Sequence, residues 1–353
     1  MKFPAEIFSR LKSAYDGRRV CVTGGAGFIG GHLVDALHSV GAHVTVIDDL
    51  SNSDLEHLAG LIELEPDRIK IVQGSVLDDE ALKEAVSGGR DGPVRTVFHL
   101  AAMGSVPRSL EQPQRTWSVN ATGTLRVLEA ARAAKASRVV LASSSSAYGE
   151  QVQAAGGRAP GSGGMVAKVE TMLPSPVSPY AASKAAAELL CTAWSHSFGL
   201  STIAVRYCNV FGPRQPAGSA YAAVVAAFAR GLLAGEQPVI FGDGGQSRDF
   251  TYVGNAVLGT LLAGSSEREF RGEVVNIGTG RSTTVHELAE VMARLLGVPH
   301  IQPAHQPARP GDVRESLADI SRARQLLGYE PVTDLEEGLA ETVEWYKRAL
   351  ADA

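Results

Sequence analysis

Seven residues between a β-branched run and a helical pattern constrain this chain most: Gly24-Gly25-Ala26-Gly27-Phe28-Ile29-Gly30. Glycines at this spacing permit a tight turn, let backbone approach a diphosphate and allow a helix to pack close to a sheet. The helix N-terminus then offers free N–H groups and the positive end of its dipole to the phosphates. A glycine-rich turn alone is common, but its setting here is specific. Arg19-Val-Cys-Val-Thr23 precedes it, a helical pattern to residue 40 follows, and the next apolar run, His43-Val-Thr-Val-Ile-Asp48, ends on an acid. An aspartate at that place accepts hydrogen bonds from a ribose and repels a 2′-phosphate, which favours NAD as cofactor.

The same alternation continues. Ile69-Lys-Ile-Val-Gln73, Thr96-Val-Phe-His-Leu100 and Arg138-Val-Val-Leu-Ala142 read as strands, as do residues 201–207, and helical patterns fill 116–135 and 180–198. This predicts an α/β fold, a Rossmann-type doubly wound parallel sheet covered by helices on both faces. Beyond residue 209 the elements shorten. Val239-Ile-Phe241 and Val274-Val-Asn-Ile277 read as strands, and 285–296 and 335–350 as helices. The expected division is a mainly dinucleotide-binding domain over 1–208 and a smaller, mixed α/β C-terminal substrate-binding cap over 209–353, with segments threading back. Residues 151–166, rich in Gly, Ala, Ser and Pro without apolar periodicity, read as a flexible surface insertion or a lid.

Composition closes off other classes. Thirty-eight acidic against 33 basic side chains give −5, which makes no case for a nucleic-acid or membrane surface. The longest strongly apolar stretch, residues 220–229, is too short to span a bilayer. Cys21, Cys191 and Cys208 have neither disulfide nor zinc spacing, so no metal site is expected and a reducing, cytoplasmic setting is the simplest. At the start, Phe3, Ile7, Leu11 and Tyr15 recur at helical spacing, which predicts a short amphipathic helix rather than a signal peptide.

Chemistry enters with Tyr180-Ala-Ala-Ser-Lys184, whose i, i+4 spacing puts a phenol and an ammonium on one helix face. A phenol near pKa 10 is a weak base at neutral pH, and adjacent positive charge favours its phenolate. Upstream, Ser143-Ser-Ser-Ser-Ala-Tyr148-Gly149 follows the fifth strand, where α/β sheets bind ligands. Each piece alone is ordinary: a surface pair, a serine-rich loop, a glycine turn. Together they are specific.

These pieces, with His99-Leu-Ala-Ala102, Asn120-Ala-Thr-Gly-Thr124, Arg206-Tyr-Cys-Asn-Val-Phe-Gly212, Ser247-Arg-Asp-Phe-Thr-Tyr252 and Arg309-Pro-Gly-Asp-Val313, resemble the extended short-chain dehydrogenase/reductase group that acts on nucleotide sugars. The resemblance covers nearly the whole chain. Gly104-Ser-Val-Pro-Arg-Ser109, Ala220-Tyr-Ala-Ala-Val224 and Gly311-Asp-Val-Arg-Glu-Ser316 look most like bacterial UDP-N-acetylglucosamine 4-epimerases. It implies that Tyr180 takes the proton of the sugar 4-hydroxyl as carbon 4 gives a hydride to NAD, and that the 4-keto sugar turns over and is reduced on its other face. Lys184 would hold the nicotinamide ribose and Ser144 would orient the proton. The implied cofactor-binding residues are Gly24, Gly27, Phe28, Ile29, Gly30, Asp48, Asn52, Ser75, Val76, Leu100, Ala101, Ala102, Asn120, Tyr180, Lys184 and Tyr207. For the UDP-sugar they are Ser105, Ser144, Ser145, Tyr180, Asn209, Ala223, Val224, Arg248, Arg309, Asp312 and Ser316. Guanidinium groups suit this ligand, because their planar donors meet phosphate oxygens in pairs.

Three positions depart from the pattern. Ser75 stands where the group often has an aspartate, Gly254 replaces a common aspartate, and residues 151–166 fall between Tyr148 and Tyr180. Related 4,6-dehydratases carry an Asp-Glu pair where this chain has Ser145 and Ser146, so eliminating water lacks its proton carriers. A UDP-glucuronate 4-epimerase or decarboxylase shares most of the other motifs and stays open, and an inactive NAD-binding regulator is the non-enzyme alternative. Ser316 matches the position beside the sugar's carbon 2, where a small side chain leaves room for an acetamido group. By analogy, the helices at 116–135 and 180–198 would pair in a homodimer.

Overall fold

The β-branched runs form the strands expected of them in the computed structural model, which describes residues 3–87, 92–149, 167–216, 224–308 and 314–351. These are β1 (Arg19–Thr23), β2 (His43–Asp48), β3 (Ile69–Gln73), β4 (Thr96–His99), β5 (Arg138–Ser144) and β6 (Ser201–Tyr207). Four short strands follow: β7 (Val210–Phe211), β8 (Val239–Phe241), β9 (Ser247–Arg248) and β10 (Thr251–Tyr252). After them come β11 (Arg271–Ile277), β12 (Thr283–Thr284), β13 (Ala304–Gln306) and β14 (Glu315–Ser316). Seven strands make one sheet in the order β11-β6-β5-β4-β1-β2-β3. Every neighbouring pair in it is parallel. The order reverses between β1 and β4, which opens a crevice at the strands' carboxyl ends.

Successive strand residues point to opposite faces, and both faces are covered. Val20, Val22 and Val140 enter one core with Leu33, Leu37, Val257 and Leu261. Cys21, Val139 and Leu141 enter the other with Leu82, Val127, Leu128 and Cys191. Each such buried aliphatic side chain contributes about 1.5–3 kcal/mol. The N-terminal pattern forms the helix Ala5–Tyr15, which buries Leu11 and Tyr15 and seals the first core through a hydrogen bond from the Tyr15 hydroxyl to Leu261 O at 2.6 Å.

Two elements differ from the sequence expectation. The run ending at Ile277 is not a strand of the cap: it lengthens to β11 and completes the main sheet beside β6. The single helix expected over 116–135 is broken into Pro113–Trp117, a π-helical turn Ser118–Thr122 and Gly123–Ala133. The π turn, a feature frequent at functional sites, carries Asn120, whose amide is locked to the Met103 backbone. Outside the main sheet, β12-β9-β14, β13-β8 and β10-β7 form three small ladders. No helix among the described residues is long and apolar enough to cross a membrane.

Candidate active site

The glycine turn is built by backbone contact. Gly24 has φ +71°, a left-handed conformation that favours glycine, and its N–H donates to Ile47 O at 2.8 Å. A Cβ at Gly24 would lie 2.6 Å from Ala101 N, and one at Gly30 would lie 2.0 Å from Gly24 O. Gly27 precedes the helix Phe28–Ser39 and caps it with no side chain, so its first N–H groups stay open toward the crevice. Asp48, at the end of β2, braces the turn: its carboxylate accepts from Ala26 N at 3.0 Å, Leu50 N at 3.0 Å and the Ser53 hydroxyl at 3.2 Å. The same carboxylate also lines the crevice, where the expected ribose contact would lie.

The crevice is a cavity of about 1510 Å³. Gly24, Gly27, Phe28, Ile29, Gly30 and Asp48 line its glycine-turn end, together with Asn52, Ser75 and Val76. Asn52 accepts a hydrogen bond from Arg108 across the groove. Leu100, Ala101, Ala102, Ser105 and Tyr207 line its middle, and Ser144, Ser145, Tyr180 and Lys184 its floor. Asn209, Arg248 and Ser316 line the far end. Val224 lies instead in an adjoining cavity of about 280 Å³ that shares Asn209 and Arg248 with the first. Ala223, Arg309, Asp312 and the 151–166 insertion lie outside the described residues. Asn120 lies behind the wall rather than on it: it is 2% exposed and its amide bonds Met103 and the Ser183 hydroxyl, so it shapes the cavity from within.

At the floor, Ser144 ends β5 and caps the one-turn helix Ser145–Tyr148, its hydroxyl accepting from Ser146 N at 3.1 Å. Tyr180 sits in the first turn of the helix Pro179–Phe198, which opens on Ser178 as N-cap with Pro179 behind it. Burial raises the Tyr180 phenol above its usual 10, and the hydrogen bond with Ser144 pulls it back down. The Lys184 ammonium, 6.0 Å from the Tyr180 ring centre, donates to Ala142 O at 2.8 Å. Burial lowers its pKa to about 8, against the opposing influence of Glu188. The hydroxyl acting on the phenol is thus Ser144. Glu188, one turn further on, takes two hydrogen bonds from Arg206 at 2.7 and 2.6 Å and one from Ser143 at 2.5 Å.

A second network ties the glycine turn to the catalytic helix. Ala101 N donates to Thr23 Oγ1, which lies 2.7 Å from His99 Nδ1. His99 Nε2 lies 2.9 Å from Thr124 Oγ1, which donates to Asn120 O. The threonine's proton is committed to that carbonyl, so His99 must carry its own on Nε2 and accept at Nδ1. Asn120 Nδ2 then donates to Ser183 Oγ, and Ser183 to Tyr180 O.

Sequence reasoning passed over Lys168, which is 8% exposed and lines the cavity. It stands in a stretch without periodicity or motif, and only its pairing beside Ser316 brings it to the site. Glu188 and Arg206 carried a readable signal: charges on an otherwise apolar helix face and strand.

The residues present fit a dinucleotide. The Gly24 and Gly30 cradle has no room for a Cβ, an open helix N-terminus faces the groove, and an acid ends β2. The cavity also exceeds the ~300–1,000 Å³ usual for one ligand, leaving space for a second molecule beside it. Residues 20–278 match the family described as NAD dependent epimerase/dehydratase family. A UDP-glucose 4-epimerase of Mycolicibacterium smegmatis is 37% identical over 330 residues, 93% of this chain and 98% of the relative. A UDP-glucuronate 4-epimerase of Thermodesulfobacterium geofontis is 35% identical over 333 residues, 92% and 95% of the two chains. Among solved structures, the UDP-N-acetylglucosamine 4-epimerase from Methanobrevibacter ruminantium in complex with UDP-N-acetylmuramic acid superposes with a TM-score of 0.83. It is 37% identical, and the match covers 95% of this chain and 99% of that one.

Proposed function

Because the chain belongs to the NAD dependent epimerase/dehydratase family, we propose that it catalyses the reversible 4-epimerisation of a UDP-hexose, with UDP-N-acetylglucosamine and UDP-N-acetylgalactosamine as the exchanged pair. The observation that carries this reading is the meeting of Ser144, Tyr180 and Lys184 at the floor of a cavity roomy enough for two ligands. NAD, cradled by the glycine turn and Asp48, supplies the acceptor and donor of a hydride. Tyr180 removes the proton of the 4-hydroxyl and later returns it, so the phenol must lie at that oxygen in both sugar orientations. Ser144 holds the phenol's hydrogen bond and lowers its pKa. The Lys184 ammonium, anchored on Ala142 O, would stabilise the phenolate and hold the nicotinamide ribose of bound NAD.

Epimerisation is favoured over elimination by the charges around the floor. Asp48 and Asp49 are the carboxylates among the described lining residues, and both stand at the glycine-turn end. Ser145 and Ser146 offer no acid to expel water. The acetamido preference rests on Ser316, a small side chain whose strand pairs with that of Arg248. The adjoining apolar cavity beside Val224, Phe211 and Phe241 suits a uracil ring, and Arg248 between the two cavities suits the diphosphate. Exposed Trp117 and Leu125 in the 116–135 region, with Leu189 and Phe198 on the 179–198 helix, support a homodimer through those helices. The test is proton NMR of purified enzyme with UDP-N-acetylglucosamine, UDP-glucose and UDP-glucuronate, each without added NAD. Conversion of the first to UDP-N-acetylgalactosamine is expected; no epimer from any of the three overturns the reading.

A further inference from the structure

One stripe of the helix Phe28–Ser39 reaches beyond the cofactor cradle. Phe28, His32 and Asp35 stand at i, i+4 and i+7, and so share a face. Phe28 lines the main cavity beside the glycine turn, and its ring meets His32 edge-on, 5.9 Å between centres. His32 and Asp35 reach the turn that follows β7. Arg214 Nη2 lies 2.7 Å from His32 Nδ1 and also donates to an Asp35 carboxylate oxygen. A guanidinium has donors only, so Nδ1 accepts, and the imidazole proton sits on Nε2 and is given to Pro213 O at 3.0 Å. His32 is 7% exposed, and both its ring nitrogens are engaged by this one turn. Burial and the Arg214 charge keep it neutral.

The turn is strained and pinned. Among the described residues four non-glycines have positive φ, and two of them, Asn209 at +27° and Arg214 at +66°, bracket this segment. Such conformations persist where the surroundings over-determine them, and they gather at ligand sites. Here the surroundings act from several sides. His32 and Asp35 hold Pro213 and Arg214, and the Tyr346 hydroxyl of the helix Leu335–Ala351 donates to Gln215 O. Gln215 Nε2 reaches back to Val210 O at 3.0 Å. A Cβ on Gly212 would lie 2.5 Å from the Val253 side chain, so the turn has no slack there. Its remaining side faces the two cavities. Asn209, Val210, Gln215 and Pro216 line the main one, and Asn209, Val210 and Phe211 the adjoining one.

We propose that Arg214, Asp35 and His32 are positioning residues for the nucleotide half of the UDP-sugar, which hold the 209–216 wall in place from the cofactor helix. This rests on the reading of the two cavities as a UDP-sugar site. The three act through Asn209, Val210 and Gln215 and leave the chemistry to Tyr180 and its neighbours. An exposed ion pair contributes little. This one is partly buried, with 22% of the Arg214 side chain and 32% of the Asp35 side chain exposed, and it shares its donor nitrogen with a buried imidazole. Breaking it lets Arg214 relax from φ +66°, and the wall that Val210 and Gln215 form moves with it. The helix that receives one ligand at its N-terminus thereby sets the fit of the other.

The test is calorimetric titration of UDP, which does not turn over, into NAD-loaded wild type, Arg214→Met, Asp35→Asn and the double variant. UDP should bind about 10-fold weaker to Arg214→Met and about 3-fold weaker to Asp35→Asn. The double variant should be no weaker than Arg214→Met alone, because both substitutions break the same contact. With UDP-N-acetylglucosamine the KM should rise while kcat stays within about twofold, and NAD retention and melting temperature report the cradle and the fold. Unchanged UDP affinity in the variants overturns the proposal, as does a wild type that does not bind UDP, or losses that simply add. A fall of kcat and NAD retention together with affinity also overturns it, by making the cluster a general brace of the fold. If Arg214→Met does not fold, the milder Asp35→Asn decides by the same UDP titration. Absence of any epimer in the NMR experiment sinks the epimerase reading and leaves the UDP titration to be judged separately.

Discussion

Lowering the pH from 7 toward 4 should destabilise the wild-type fold more steeply than a His99→Gln variant. His99 is 1% exposed, lies between Thr23 and Thr124, and is held neutral with its proton on Nε2. Burial, reinforced by the Lys184 charge, lowers its pKa from 6.5 to about 3. As the pH falls, the unfolded chain takes up this proton near 6.5 while the folded chain refuses it until about 3. The imidazole's contribution is thus complete above 6.5 and is lost on acidification, at about 1.4 kcal/mol per pH unit and about 5 kcal/mol over the whole interval. His32, also lowered to about 3, adds a similar slope that both proteins share. Carboxylate titrations are likewise common to both and cancel in the difference. At pH 7 the variant should be weaker by about 1–3 kcal/mol for the disrupted hydrogen bonds. That gap should close by pH ~5 and then reverse. Urea unfolding followed by the fluorescence of the three tryptophans measures it. A gap that stays constant from pH 7 to 4.5 would mean that the folded chain does not hold His99 neutral, and the argued tautomer would fail with it.

Tyr180→Phe should abolish turnover while leaving NAD and UDP-sugar binding in place; comparable activity in that variant would remove the phenol from the mechanism. Ser316→Tyr should depress kcat/KM for UDP-N-acetylglucosamine far more than for UDP-glucose, and an equal fall on both would refute the room-for-acetamide argument. Glu188→Gln leaves Arg206 buried beside a neutral amide and should cost about 3–5 kcal/mol in stability. It should also move the alkaline limb of the pH–rate profile to lower pH, because Glu188 opposes the fall in the Lys184 pKa. Gly30→Ala, whose Cβ would strike Gly24 O, should cut NAD retention on purification at least ~10-fold. Gly60→Ala, on an exposed helix face with nothing within 4 Å, should stabilise the protein by about 1 kcal/mol, as thermal melting would show.

What the sequence disclosed was whatever local pattern dictates. The glycine turn, Asp48 and the β-branched strands announce themselves because each depends on neighbours a few residues away. The Tyr180–Lys184 helix does so too, starting one residue early because Pro179 occupies its first position. For Asn120 the motif marks a residue near the cofactor but not the bonds its amide makes to Met103 and Ser183 from the π turn. β11 carried a strand's composition but nothing to say which sheet it joins, since that is decided by pairing with β6. Lys168 was invisible for the same reason: its place is fixed by Leu317, Asp319 and Asn276, all more than 100 residues away.

The late arrival of β11 has a consequence for synthesis. β6 is buried along its whole length in the finished sheet, but its outer partner begins about 60 residues downstream, at Arg271. At ribosomal rates of ~5–20 residues per second, the nascent sheet would present that apolar edge for several seconds before its own chain can cover it. An unpaired strand of this kind is a template for another molecule. Fragments ending before residue 271 should therefore aggregate even with the cofactor cradle complete, and in vivo the emerging edge is the natural place for a chaperone to engage.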